Sequence, residues 1–208
     1  MESDVARRPD NDPVGTAPGP LRLVEEFINT RREDRDDIGT PEQLRDWLSA
    51  RGLAPGDCHV SDSQRRRAEL VREGLRASIA DNNGEAVVGA RPDGLDPAAR
   101  ARFAEVSIGL TLVLDLAGGQ PRLVPAAQEP VEAALATLLS VVSEATAAGT
   151  WSRLKACRDA SCRWAFYDHS RNRQRSWCSM DICGNRAKAR TFYIRNSAAR
   201  DQSVPPSR

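Results

Sequence analysis

The stretch CRDASCRWAFYDHSRNRQRSWCSMDICGN, residues 157–185, carries four cysteines in two pairs, Cys157 with Cys162 and Cys178 with Cys183, and each pair encloses four residues. Thiolates on two short turns can converge into the tetrahedron that Zn²⁺ favours, and a fourth sulfur leaves no coordination position for a reactive water. The spacing therefore predicts one structural Zn²⁺ per chain, held by Cys157, Cys162, Cys178 and Cys183. Cys58, with only His59 beside it, reads as a thiol outside this set, and His169 lies between the pairs but is not needed to complete the shell.

Working outward, Trp164 and Phe166 face one way and Ala165 and Tyr167 the other if the segment between the pairs is a strand, and Arg175-Ser176-Trp177 is its expected partner. Gly184 follows the last cysteine, where a chain that bends around a metal often needs a positive φ, and Asn185 is placed to cap a helix from about Arg186 to Ala199. A segment of this size with so few large apolar residues needs a staple such as a metal to hold together.

Upstream, Leu21, Val24, Phe27 and Ile28 share one helical face. Thr40, Pro41 and Gln43 spell a capped helix start ahead of Leu44, Trp47 and Leu48, with Gly52 as the stop. A longer helix is expected from about Ser63 to Ala80, and Asp96-Pro97 opens another. Ile108, Leu110, Leu112, Leu114 and Leu116 alternate with the strand period, and Gly118-Gly119 turns the chain back through Leu123 and Val124, giving one hairpin. Pro130 starts a helix that Gly149 ends.

The fold class that follows is mainly α with small β elements. A helical N-terminal domain with one β-hairpin precedes a small treble-clef-like or ribbon-like four-cysteine zinc module. The expected divisions are a disordered, proline-rich stretch at 1–19, the helical domain at 20–150, the zinc module at 151–200 and a flexible tail at 201–208.

The formal net charge of +1 conceals a split: Lys and Arg number 17 against 25 Asp and Glu before residue 151, and 13 against 4 from there on. Such an excess in the metal-bearing part points to a polyanion, most often nucleic acid. Arg171, Arg173 and Arg175 ahead of the third cysteine, and Arg186, Lys188, Arg190 and Arg195 on the last helix, are the candidate phosphate contacts. No stretch approaches the roughly 20 apolar residues of a membrane span, and the N-terminus has no apolar core of a secretory signal. A cytoplasmic setting, which keeps thiols reduced, is the expectation. Phosphate-binding glycine loops, paired histidines at helical spacing and nucleophile elbows do not occur in the sequence, so the expectation is a binding protein, not an enzyme.

The run from Cys162 to Asp168, then Ser170-Arg171, then Arg175 to Met180, and finally Cys183-Gly184-Asn185-Arg186-Ala187-Lys188 closely resembles the CGNR zinc finger, which takes its name from the last motif. That finger usually closes bacterial proteins with an N-terminal ABATE domain, described as a stress-induced transcription regulator. The first half resembles that domain too, in Phe27-Ile28-Asn29-Thr30, in Leu44 to Leu48 and in Val71-Arg72-Glu73, although Glu26 stands where the family commonly has aspartate. The resemblance implies a zinc-dependent DNA-binding regulator responsive to stress or to a ligand. Asn29 and Arg72, polar residues beside apolar helical stripes, are candidates to line a pocket for a small effector; the alternative is that Asn29 ends its helix and Arg72 lies in a surface ion pair with a neighbouring carboxylate. The rival function is a protein-interaction module whose basic finger binds an acidic partner or its own N-terminal domain. Oligomeric state and DNA target are not legible.

Overall fold

The computed structural model of the protein describes residues 16–84 and 98–201, with side chains to residue 193. Six α-helices and two small hairpins follow in the order α1 (Leu21–Ile28), α2 (Pro41–Ser49), α3 (Asp62–Asp81), α4 (Ala99–Ser107), β1 (Leu112–Asp115), β2 (Arg122–Pro125), α5 (Pro130–Ala147), β3 (Leu154–Ala156), β4 (Ala165–Tyr167) and α6 (Asn185–Asp201). The fold is mainly helical with small β elements, as the periodicities require.

Local chemistry places the helix ends. Thr40 caps α2 in a reciprocal box, its hydroxyl taking the Gln43 N–H while the Gln43 side chain takes the Thr40 N–H. Ser61 and Gln64 do the same for α3, which therefore starts slightly before the expected Ser63. Gly52 and Gly149, at φ +66° and +68°, sit just past α2 and α5, in the left-handed region where a Cβ is costly. Of the stretch expected to be disordered at 1–19, residues 1–15 lie outside the described residues, and Ala17 is buried with its N–H on the Glu25 carboxylate. The expected helix start at Asp96-Pro97 and the tail residues 202–208 also lie outside the described residues.

The core gathers Val24, Phe27 and Ile28 of α1, Leu44 and Leu48 of α2, Val71, Leu75 and Ile79 of α3, and Val131, Leu135 and Leu138 of α5. Phe27 meets Trp47 with ring centroids 5.4 Å apart. The first hairpin is shorter than the five-leucine alternation suggests: β1 pairs antiparallel with β2 from Leu112 opposite Pro125 to Asp115 opposite Arg122. Leu110 is buried beside it, while Ile108, Leu114 and Leu116 are exposed.

The second hairpin corrects one expectation. The strand through Ala165–Tyr167 pairs antiparallel with Leu154–Ala156, not with Arg175–Trp177; that later segment contributes a single backbone bond, from Arg158 N–H to Ser176 O. Leu154, Ala156, Ala165 and Tyr167 belong to the main helical core, so apolar packing runs across the expected 150/151 division. Small size is the reason: a hairpin of three-residue strands has no second layer of its own and buries one face on α1 and α3.

Candidate metal centre

The hairpin divides two environments. Phe166 on β4 and its neighbour Trp164 pack with the cysteines, together with Trp177 and Ile182, while Ala165 and Tyr167 face the helical core. The alternation read from the sequence is thus the one observed, with the metal side on one face and the main core on the other.

On that face the sulfur atoms of Cys157, Cys162, Cys178 and Cys183 all lie within 4.8 Å of one another. Cys162 Sγ is 3.5 Å from Cys178 Sγ, which is 3.8 Å from Cys183 Sγ. A tetrahedron with metal–sulfur bonds of about 2.3 Å has sulfurs about 3.8 Å apart, so the set fits one four-coordinate ion. Cys157, Cys178 and Cys183 are buried and Cys162 is half-buried. Four sulfurs this close cannot all ionise on their own: hydrogen bonding to Cys162 drives the Cys157 thiol up, and the same bond holds the Cys162 thiol down. A divalent cation would relieve this by replacing the shared protons.

Two turns deliver the sulfurs. In the first, the Asp159 carbonyl accepts the N–H groups of Cys162 and Arg163 at 2.9 and 3.0 Å, Arg163 takes φ +50°, and Cys157 N–H bonds Trp164 O at 2.8 Å. In the second, the Ser179 carbonyl accepts from Cys183 and Gly184, and its hydroxyl accepts from Ile182, closing a π-helical turn at Met180–Gly184 that runs straight into α6. Gly184 is not needed for a positive φ, as the sequence suggested. An added Cβ would come within 2.6 Å of Sδ of Met180, an exposed and flexible side chain that would have to swing aside.

Two buried carboxylates, unremarked in the sequence, organise the site. Asp159 accepts from Ser161 and from both Arg186 and Arg190, each guanidinium at 3.1 Å, and so ties the first cysteine turn to α6. Burial works against its charge, but the Ser161 bonds and the two arginines hold its carboxyl below the usual range. Asp168, fully buried, pairs with the buried Lys155 ammonium at 2.9 Å and accepts from the backbone of Ser170 and Arg175. Lys155 Nζ also donates to the carbonyls of Arg173 and Arg175, so the pair shapes the loop that leads to the third cysteine. The Asp-Ala-Ser sequence inside the first turn was the available signal for Asp159, since Asp readily bonds backbone two residues on. A buried lysine has no comparable signature.

The predicted basic residues divide. Arg186 and Arg190 are committed to Asp159, and Arg175 donates to the Trp177 and Cys178 carbonyls while lying 5.3 Å over the Phe166 ring. Arg171, Arg173 and Lys188 are exposed. Arg195 lies outside the residues whose side chains are described.

Asn29 and Arg72 are both buried, and of the two only Arg72 lines a cleft among the described residues. Asn29 Nδ2 donates to Ala165 O at 2.9 Å and its Oδ1 accepts Ala165 N–H at 2.8 Å, so its amide serves β4 and is not presented to a ligand. Arg72 reaches Asp36 with two N–H groups at 2.7 and 2.9 Å, and Thr30 and Glu73 with the others. The ion pair expected at the surface is therefore an interior one. Glu26 is exposed and pairs with Arg22 and Arg51.

A four-sulfur metal site whose second turn opens a helix, carried on a helical domain through a shared hairpin, defines a zinc-finger-type module joined to an α-rich partner. Comparison of the sequence with family models finds the CGNR zinc finger at residues 153–196 and ABATE, described as "Putative stress-induced transcription regulator", at residues 21–156. The chain belongs to the ABATE family. The two matches overlap at residues 153–156, the very strand that the main core and the metal face share. No curated protein matches the chain. No helix among the described residues is long and apolar enough to cross a membrane.

Proposed function

We propose that the chain is a zinc-dependent DNA-binding regulator in which the four cysteines hold one Zn²⁺ and the basic segment around it meets phosphates. The metal would be structural, since four thiolates fill its shell, and what it supplies is the fixed geometry of the two turns and of α6. The observation that carries the reading is the separation of roles among the cations. Arg175, Arg186 and Arg190 hydrogen-bond within the module, Arg186 and Arg190 staying about half exposed as they do so, whereas Arg171, Arg173 and Lys188 are exposed and make no side-chain hydrogen bond among the described residues, and α6 has no acidic residue before Asp201. Charges left in solvent on an ordered frame suit phosphate contact. The role proposed is binding, with no catalytic step, and the helical part would supply the regulatory input.

The rival reading, that the basic finger neutralises its own acidic N-terminal half, has a specific observation against it. Among the described residues, the contacts between the halves are mainly apolar packing and bonds to backbone atoms, such as Asn82 Nδ2 to the Trp151 and Leu154 carbonyls, Asn83 to Ala156 O, and Arg158 to Asn83 O. They leave the exposed cations uninvolved.

The test is fluorescence anisotropy of the zinc-loaded full chain with duplex DNA across a salt series. Binding that weakens with a log–log slope of about −0.9 per phosphate neutralised supports the proposal. Absence of binding at low salt, or a flat salt response, refutes it.

A further inference from the structure

A cleft of about 390 Å³ opens where α3, the loop after α1 and the first cysteine turn meet, within the size range of small-molecule sites. Its floor is built from Arg72 and Arg76, one helical turn apart and both buried, with the Glu73 carboxylate divided between them: 2.9 Å to Arg72 Nε and 3.0 Å to Arg76 Nε. Arg72 is further balanced by Asp36. Arg76 is not: its remaining bonds go to the neutral carbonyls of Arg163 at 2.7 Å and Ile28 at 2.6 Å. Only three of its five N–H groups have partners among the described residues.

Around this floor the cleft is lined by three further arginines, Arg31, Arg32 and Arg163, against two carboxylates, Glu33 and Glu69. Glu69 is itself engaged by Arg65 at 3.1 Å, and Arg32 lies 5.3 Å over the Trp164 ring. Among the described residues that line it, positive charge therefore exceeds negative charge in a recess where water screening is weakened. Burial, reinforced by Arg72 and Arg163 and opposed by Glu73, pulls the Arg76 guanidinium below its ordinary value, the direction expected where a counter-ion is missing. A guanidinium fork matches carboxylate and phosphate oxygens.

We propose that this cleft is a binding site for a small molecule carrying a carboxylate or phosphate group, seated on Arg76 and Arg31, and that its occupation is felt at the metal site. The route is short: Arg76 holds the carbonyl of Arg163, the residue after the ligand Cys162, and Cys162 itself lines the cleft. For its purpose the site rests on the regulator reading; its evidence, the charge and shape of the cleft, does not.

Inorganic phosphate is the probe, titrated into the zinc-loaded full chain by calorimetry at constant ionic strength, with the rate of zinc transfer to a chelator as second readout. The expected result is saturable millimolar binding that slows zinc loss. Arg31 is exposed and makes no side-chain hydrogen bond among the described residues, so Arg31→Ala should leave the thermal midpoint unchanged. It should weaken phosphate about tenfold, the worth of one charge-assisted contact. No saturable binding, or binding abolished by Arg171→Ala and untouched by Arg31→Ala, overturns the site. Phosphate that binds through Arg31 without altering zinc loss overturns the link to the metal. Duplex binding, measured separately, fails or holds independently, so loss of the regulator reading is distinguishable from loss of the cleft.

Discussion

The side chain of Asn29 pairs with the backbone of Ala165 as a neighbouring strand would, one bond in each direction, at 2.9 and 2.8 Å. It caps the C-terminal end of α1 and ties it to the metal-bearing hairpin, and both groups it serves are buried. Asn29→Ala strands an N–H and a carbonyl away from water, which should cost about 2–4 kcal/mol. Urea unfolding of the metal-loaded chain measures it. Asn29→Asp keeps the acceptor for Ala165 N–H but loses the donor, and should restore only part of the loss.

Asp36 and Arg72 form the interior ion pair beneath the cleft. Burial opposes the Asp36 charge, yet the Arg72 hydrogen bonds and charge prevail and hold its carboxyl below the usual value. A folded-state pKa below the unfolded one stabilises the protein above the unfolded pKa, and the stabilisation is lost as pH falls through about 4 toward the folded value. Asp36→Asn should therefore cost roughly 3 kcal/mol at neutral pH. Its deficit relative to the parent should shrink below about pH 4, because the parent loses the same charge there. Loss of metal in acid affects both proteins, so the difference between their unfolding free energies isolates Asp36; a deficit that does not change with pH would contradict the assignment.

The regular parts of this structure could be read from spacing alone. Thr40 with Gln43, the apolar faces of α1, α3 and α5, and the two cysteine pairs are local patterns, and each forms where the pattern places it. What spacing hides is long-range satisfaction of polar groups. Ala165 is paired by a residue 136 positions away, and Leu154–Ala156, without strand alternation to mark it, becomes a strand only because Ala165–Tyr167 and the helical core need a neighbour. The basic residues were legible as charge but not as role, since nothing in the sequence says that Asp159 takes Arg186 and Arg190 while Lys188 makes no side-chain bond among the described residues.

That division of roles separates two kinds of variant. Arg171→Ala, Arg173→Ala and Lys188→Ala should each leave the thermal midpoint unchanged and, where the removed cation meets a phosphate, flatten the salt slope of DNA binding by about 0.9. Asp159→Asn removes the negative charge that pairs with two guanidiniums and should loosen α6 from the first cysteine turn. Its expected signature is a lower thermal midpoint and faster zinc transfer to a chelator, with weaker DNA binding although no cation has been deleted.

Removal of one sulfur tests the centre itself. Cys178 lies between Cys162 and Cys183, at 3.5 and 3.8 Å, so Cys178→Ser replaces a thiolate in the middle of the set with a hydroxyl that is a poor ligand for a soft site. The remaining three sulfurs would leave an open position, and the second turn would lose the contact that joins it to the first. Metal content of the purified variant should fall well below that of the parent, and alkylation of the other three cysteines should become fast. Because Leu154, Ala156, Ala165 and Tyr167 are held by the helical core, the β3–β4 hairpin and α1 to α5 should survive. Helix content should drop by an amount attributable to α6 alone. Chelation of the parent should give the same partial loss, reversed on adding Zn²⁺; full metal content and unchanged helicity in Cys178→Ser would refute a four-sulfur centre.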